Sequence, residues 1–233
     1  MSHQTPAQHI GTLNENPLHA GLKEWCTRPG DEVEVPVDGY LVDIVRGELL
    51  IEVQTRSFYA IRDKLRALAT SHPVRLVHPL AADKWLVKLA DDGDGVQDRR
   101  RSPKHCTALD VFDELVSCPA LLAESGFSLH VLLTEEEEVR RHEEGRAWRR
   151  KGWIIVERRL LDVVDDVLLE TPADFRALLP EDLPEPFTTA DLAEKASIRR
   201  RLAQKMAYSL REMGAITQTG KRGNAYLYTR QSA

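Results

Sequence analysis

The chain has 233 residues, 42% of them hydrophobic and 30% charged, with a formal net charge of −5. That balance belongs to a globular protein with enough chain for one large domain or two small ones. No apolar run approaches the roughly 20 residues that span a bilayer, and the polar opening MSHQTPAQHIGT lacks a signal-peptide core, so a cytoplasmic protein with no membrane partner is expected.

The first twelve residues carry no periodic pattern and are expected to be disordered. From Asn14 to Cys26, Leu18, Leu22 and Trp25 recur at helical spacing, with Asn14 as cap and Pro29-Gly30 as stop. Three strand-like runs follow, EVEVPV, YLVDIV and LLIEVQT, parted by Asp38-Gly39 and by Arg46-Gly47. Asp-Gly between alternating apolar residues is a strong hairpin signal. SFYAIRDKLRALATS places Phe58, Ile61, Leu65 and Leu68 on one helical face; His72-Pro73 breaks it, and VRLVHP is the next strand. A further hairpin is expected over residues 84–104, turning at DDGDG and followed by the basic run RRRSPK.

Residues 105–180 read as a connecting α+β segment. It has a helix over ALDVFDELV, a strand at SLHVLLT, an acidic helix from Glu135, and strands within GWIIVERRLLDVV. Thr134 and Glu137 have the spacing of a helix capping box, which accounts for part of the acidic run. Trp148 and Trp153 are expected in a core or interface. LPEDLPEPF reads as a linker. Cys26, Cys106 and Cys118 fit neither a zinc pattern nor a disulfide framework and are expected as reduced thiols.

Charge is unevenly spread. Residues 187–233 hold nine Lys/Arg and three Asp/Glu, a net of +6, which leaves −11 on the remainder. A basic binding module on an acidic body is the implication.

Two carboxylates interrupt the apolar strands: Asp43 in the second and Glu52 in the third. A hairpin joining those strands sets them side by side, with Gln54 on the face of Glu52. Neighbouring carboxylates repel unless a cation sits between them. A hard divalent ion, Mg²⁺ or Mn²⁺, fits Asp43, Glu52 and the Val53 carbonyl. The plainer alternative is a solvated sheet edge, or ion pairs to Arg46, Arg56 or Lys64.

The order helix, three strands, helix, strand over about residues 10–80, with Asp43 and then Glu52-Val53-Gln54, resembles the PD-(D/E)XK nuclease superfamily. The resemblance implies a restriction-endonuclease-like core over residues 13–104 and metal-dependent hydrolysis of DNA phosphodiesters. Asp43, Glu52 and Gln54 would be its catalytic residues, and Glu15 (or Glu24) the carboxylate of the first helix. Glutamine stands at 54 where the superfamily usually has lysine, so Arg56 or Lys64 would supply the missing charge. A non-catalytic DNA-binding regulator on a degenerate nuclease fold is the alternative.

Residues 187–233 resemble a winged helix-turn-helix. Thr188-Thr189 open a helix over ADLAEKA, and a second helix from about Arg200 turns Leu202, Met206, Leu210 and Met213 inward. A wing follows with TGKRGN at its tip. The resemblance implies that Arg201, Gln204, Lys205, Tyr208 and Arg211 face the major groove while Lys221 and Arg222 meet phosphates. Arg99 to Lys104 would be a second phosphate contact or, more plainly, an exposed basic loop, and a homodimer would serve cleavage of both strands.

Overall fold

A computed structural model describes residues 16–231, apart from 91–94, 120, 122–123 and 125. Helix α1 (Pro17–Cys26) is capped by the side chain of Asn16, which accepts from Leu18 N–H, with Pro17 at the first turn. Strands β1 (Glu32–Val37), β2 (Tyr40–Arg46) and β3 (Leu49–Val53) then form an antiparallel meander. Asp38 and Gly39 both have positive φ, as the two-residue hairpin between Val37 and Tyr40 requires. A 3₁₀ turn (Phe58–Ala60) leads into α2 (Arg62–Ala69), and β4 (Val74–Leu89) pairs parallel with β3. The expected order of helix, three strands, helix and strand is the order observed.

Beyond this point the long strands dominate. β5 (Val96–Arg101) folds back antiparallel on β4, β6 (Phe127–His142) runs parallel to β4, and β7 (Trp153–Leu169) returns antiparallel to β6. The seven strands make one mixed sheet, β1-β2-β3-β4-β6-β7, with β5 also on β4. β3 covers one edge of β4 at Val74–Val77 and β5 covers the same edge at Trp85–Leu89, so residues 78–84 between them have no strand neighbour on that side. α1 packs one face through Leu18, Leu22 and Cys26 against Ile44, Ile51 and Val77. α2 and the short helix α3 (Phe112–Leu115) enter the larger cluster with Leu50, Leu76 and Leu129. The protein is thus a mixed α+β fold.

The acidic run is not a helix. Residues 135–141 belong to β6, where each glutamate meets a cross-strand or next-but-one partner. Glu135 accepts from Trp85 Nε1, Glu136 pairs with Arg158, Glu137 with Arg99 and Glu138 with Arg140. Cross-strand pairing overrides the local helical preference. Thr134 and Glu137 form no capping box; the Thr134 hydroxyl donates to Glu136.

The C-terminal part has α4 (Pro172–Ala177), α5 (Thr189–Lys195), α6 (Arg200–Glu212) and the hairpin β8 (Ile216–Arg222) and β9 (Ala225–Arg230). A capping box of Thr188 and Asp191 starts α5. The expected linker instead packs inward: Leu179, Leu183 and Phe187 are buried in the core that also holds Met206 and Leu210 of α6. That continuity joins the C-terminal part to the body, so the two do not separate at a loose tether. Trp148, at the β6–β7 tip, is 80% exposed, so of the two expected placements, core or interface, it is not in the core. All three cysteines are free thiols.

Candidate functional site

Asp43 sits where β2 and β3 part. The ladder between them runs Arg46–Leu49, Val45–Leu50 and Ile44–Ile51, and continuing it by one step opposes Asp43 to Glu52. Val42 and Ile44 are two residues apart, yet Val42 packs on the α2 side and Ile44 on the α1 side, so the strand twists at Asp43. Gln54 N–H donates to Val77 of β4. The alternate donor, Val53 N–H, faces β2 and finds Asp43 Oδ2 at 2.8 Å in place of a backbone carbonyl. The carboxylate therefore closes the ladder at the fork. On its other side His19 Nε2, from α1, lies 3.4 Å from the same oxygen.

Glu52 is 4% exposed. Its cation is internal: Lys64 of α2 places Nζ 2.6 Å from Oε1 and donates to the Leu41 carbonyl at 2.5 Å. The short contact to Oε1 places the Lys64 ammonium directly on the buried oxygen. Burial pushes the Glu52 carboxyl up to about 7, with Asp43 adding to the rise and Lys64 opposing it. For Asp43 burial also acts upward. The hydrogen bonds from His19 and Val53, with the charges of His19 and Lys64, outweigh it and hold the carboxyl below its ordinary value. The fork thus pairs a committed carboxylate with one that exchanges its proton near neutrality.

The other expected residues fall unevenly. Gln54 turns its amide into the loop that follows, donating to Ser57 O and accepting from Arg56 N–H. Its main-chain carbonyl accepts from His78 Nδ1 at 2.6 Å. Glu15 lies outside the described residues, and Glu24 is exposed on α1. The residue of α1 that meets Asp43 is His19, which the sequence analysis missed. A signal was present, since His19 stands one turn from Leu22 and Lys23, but a lone histidine gave no reason to choose it. Among the described residues no three His, Cys, Asp or Glu side chains converge on a metal position. A Mg²⁺ ion asks less, since it is held by one or two carboxylates and keeps several waters. Two neighbouring carboxylates, Asp43 and the buried Glu52, with a main-chain carbonyl at Val53, suit that demand.

On α6, Arg201, Gln204 and Tyr208 are exposed. Lys205 departs from the expected outward face: it is half-buried, bonded to the Asp113 carbonyl at 3.1 Å and paired with its carboxylate at 2.9 Å. Arg211 pairs with Glu212, and Arg222 pairs with Asp191 at the start of α5. Lys221 lies over the Tyr226 ring at 4.8 Å.

The profile of the family described as "Domain of unknown function (DUF8091)" matches residues 16–170. The chain belongs to this family. The matched DUF8091 segment begins at the cap of α1 and ends just past β7, so it contains the fork and every strand of the large sheet. An uncharacterized protein of Treponema pallidum (strain Nichols) is 29% identical over 224 residues, spanning 95% of this chain and 88% of the relative. At that coverage the likeness extends past the DUF8091 segment into the C-terminal part. No solved structure matches the chain. No helix among the described residues is long and apolar enough to cross a membrane.

Proposed function

We propose that the chain is a metal-dependent DNA endonuclease, with its reaction centre at the β2–β3 fork and DNA affinity from the C-terminal α5–α6 pair and hairpin. The observation that carries this reading is the pair of carboxylates at the fork: buried Glu52 lies one register step past the last β2–β3 pair, opposite Asp43, with the Lys64 ammonium on its Oε1. Asp43, Glu52 and the Val53 carbonyl would hold Mg²⁺ or Mn²⁺, which when bound polarises a phosphate and acidifies a water. The protein's own groups do the rest. Asp43 is fixed by Val53 and His19, so its charge is present throughout the neutral range. Lys64, on a helix and anchored to Leu41, supplies the positive charge that position 54 lacks. Exposed Arg201, Gln204, Tyr208 and Lys221 form the surface offered to DNA, and two copies would be needed to cut both strands.

A second reading, a DNA-binding regulator without catalysis, is favoured by one contact. Lys64 already neutralises Glu52 at 2.6 Å, and a permanent pair would leave no place for a metal. Nicking of supercoiled plasmid with Mn²⁺ separates the two. The wild type should nick, Glu52→Gln should lose about 10³-fold because the metal's contribution is several kcal/mol, and Lys64→Gln should lose about 10²–10³-fold. Absence of nicking in the wild type, with DNA binding indifferent to both changes, would establish the regulator.

A further inference from the structure

Between the end of β3 and the start of the β5 pairing, β4 is met by the segment after β5, with Ser102 N–H donating to Lys84 O and Cys106 N–H to Ala81 O, and a cavity of ≈ 250 Å³ opens there. It lies immediately past Gln54, and its walls bring four cations together from four parts of the fold: Arg56 after β3, Lys84 of β4, Lys104 after β5 and Arg158 of β7. Thr55 and Ser57 add hydroxyl groups.

The charge is not balanced from within. Glu114 lies in the wall and accepts from Phe58 N–H. Beneath the wall, Glu136 is fully buried and serves both Arg158 at 2.7 Å and Lys84 at 3.5 Å. Arg56 and Lys104 are exposed and have no ion pair among the described residues. Lys84 also lies 3.8 Å from Glu138, whose nearer partner is Arg140 at 2.5 Å. With Glu138 assigned to Arg140, four positive charges against Glu114 and Glu136 leave a surplus of two, gathered in one concave space. Glu136 also holds Arg158 and Lys84 in place, so half of the cations are preorganised rather than drawn together by a ligand.

We propose that this cavity binds a phosphate monoester. A monoester carries about −1.5 to −2 at neutral pH and offers three acceptor oxygens, which matches the surplus and the hydroxyl and cationic donors. A phosphodiester carries a single negative charge and continues as chain on both sides, so a concave site ringed by four cations suits a doubly charged end better than the middle of a strand. The ligand is the terminal phosphate of a nucleic-acid strand or that of a free mononucleotide. The cavity is independent of cleavage; the nuclease reading bears only on which source it meets.

The test is binding in EDTA, where cleavage plays no part. Fluorescence anisotropy would compare single strands of one sequence ending in 5′-phosphate, 3′-phosphate or hydroxyl groups, with adenosine monophosphate and adenosine as competitors. One phosphorylated end should bind at least about tenfold tighter than the hydroxyl form, a difference of 1.4 kcal/mol. Adenosine monophosphate should compete where adenosine does not. The double variant Arg56→Gln/Lys104→Gln, whose side chains are exposed, should keep the melting temperature and lose the preference. If the monophosphate competes but phosphorylation of the strand end changes nothing, the site takes a free mononucleotide. Equal affinity for every strand with no difference between the two competitors overturns the proposal. So does a preference that survives the double variant.

Discussion

Glu52 and Glu136 are both buried glutamates on the same sheet, yet they are satisfied differently. Glu136 accepts from the Thr134 hydroxyl on one oxygen and from the Arg158 guanidinium on the other, with Lys84 close by. Glu52 meets one ammonium, Lys64 at 2.6 Å on Oε1, and has the Asp43 carboxylate rather than a second cation beside it. A buried carboxylate with every lone pair engaged is part of the framework, whereas an incompletely satisfied one is a place where something else can bind. The same contrast recurs on α6, where Lys205 is fastened to Asp113 while Arg201 stands in solvent.

Removing each glutamate should give opposite results, and this is the largest effect expected. Glu136→Ala leaves Arg158 without its anion and Lys84 with only Glu138 at 3.8 Å, and should cost about 3–5 kcal/mol. Glu52→Gln, measured without divalent ions at pH 8, should stabilise the protein by about 2 kcal/mol, because a carboxylate that resists ionisation is gone. Urea unfolding in EDTA reads both. Destabilisation of similar size at the two positions would erase the distinction.

The contrast sharpens with pH. The Glu52 carboxyl lies at about 7 in the fold against an ordinary 4.5. Between those values the folded protein holds a proton that the unfolded chain has released. The stability this contributes is fully present below pH 4.5 and is lost as pH rises through 7, in all about 3 kcal/mol. Asp43 is lowered instead, so its contribution is present above its ordinary value and disappears only as acid protonates it, below the Glu52 window. Wild-type stability minus that of Glu52→Gln, followed from pH 4.5 to 8, should fall across this window, and saturating Mg²⁺ should flatten the fall. A difference that does not change with pH would remove Glu52 from its assigned role.

The smallest effect concerns the C-terminal cations. Lys221→Ala should flatten the dependence of log K on log salt by about 0.9 if its ammonium touches a phosphate of duplex DNA. Lys205→Ala should leave that slope unchanged and lower stability, by about 1 kcal/mol for a partly buried pair. A reversed pattern would mean that α6 leaves Asp113 when DNA binds.

Much of the fold was legible because it is written in local periodicity. The spacing of Leu18 and Leu22, the Asp38-Gly39 turn and the apolar face of Leu65 and Leu68 yield α1, the meander and α2 without knowledge of anything distant. The neighbourhood of Asp43 and Glu52 followed from the same arithmetic, since a hairpin of known turn sets its register. The strand character of Glu135–Arg141 was hidden, because four consecutive glutamates favour a helix until Trp85, Arg99 and Arg158 arrive from other strands to meet them. Lys64 was legible as a candidate and His19 was not: a cation near a carboxylate is a chemical expectation, whereas a histidine 24 residues away needs the helix to be docked.

By itself, then, the sequence determined the mixed α+β class, the first six elements and the opposition of two carboxylates across a hairpin. Only the tertiary structure decided that β2 and β3 part at Asp43, that Lys64 reaches Glu52, that the Pro-rich segment joins one core with α6, and that the stretch of β4 between its β3 and β5 pairings gathers four cations. The physical reason is range. Turn and helix preferences act within a few residues, but desolvation, ion pairing and cavity shape depend on atoms that only folding brings together.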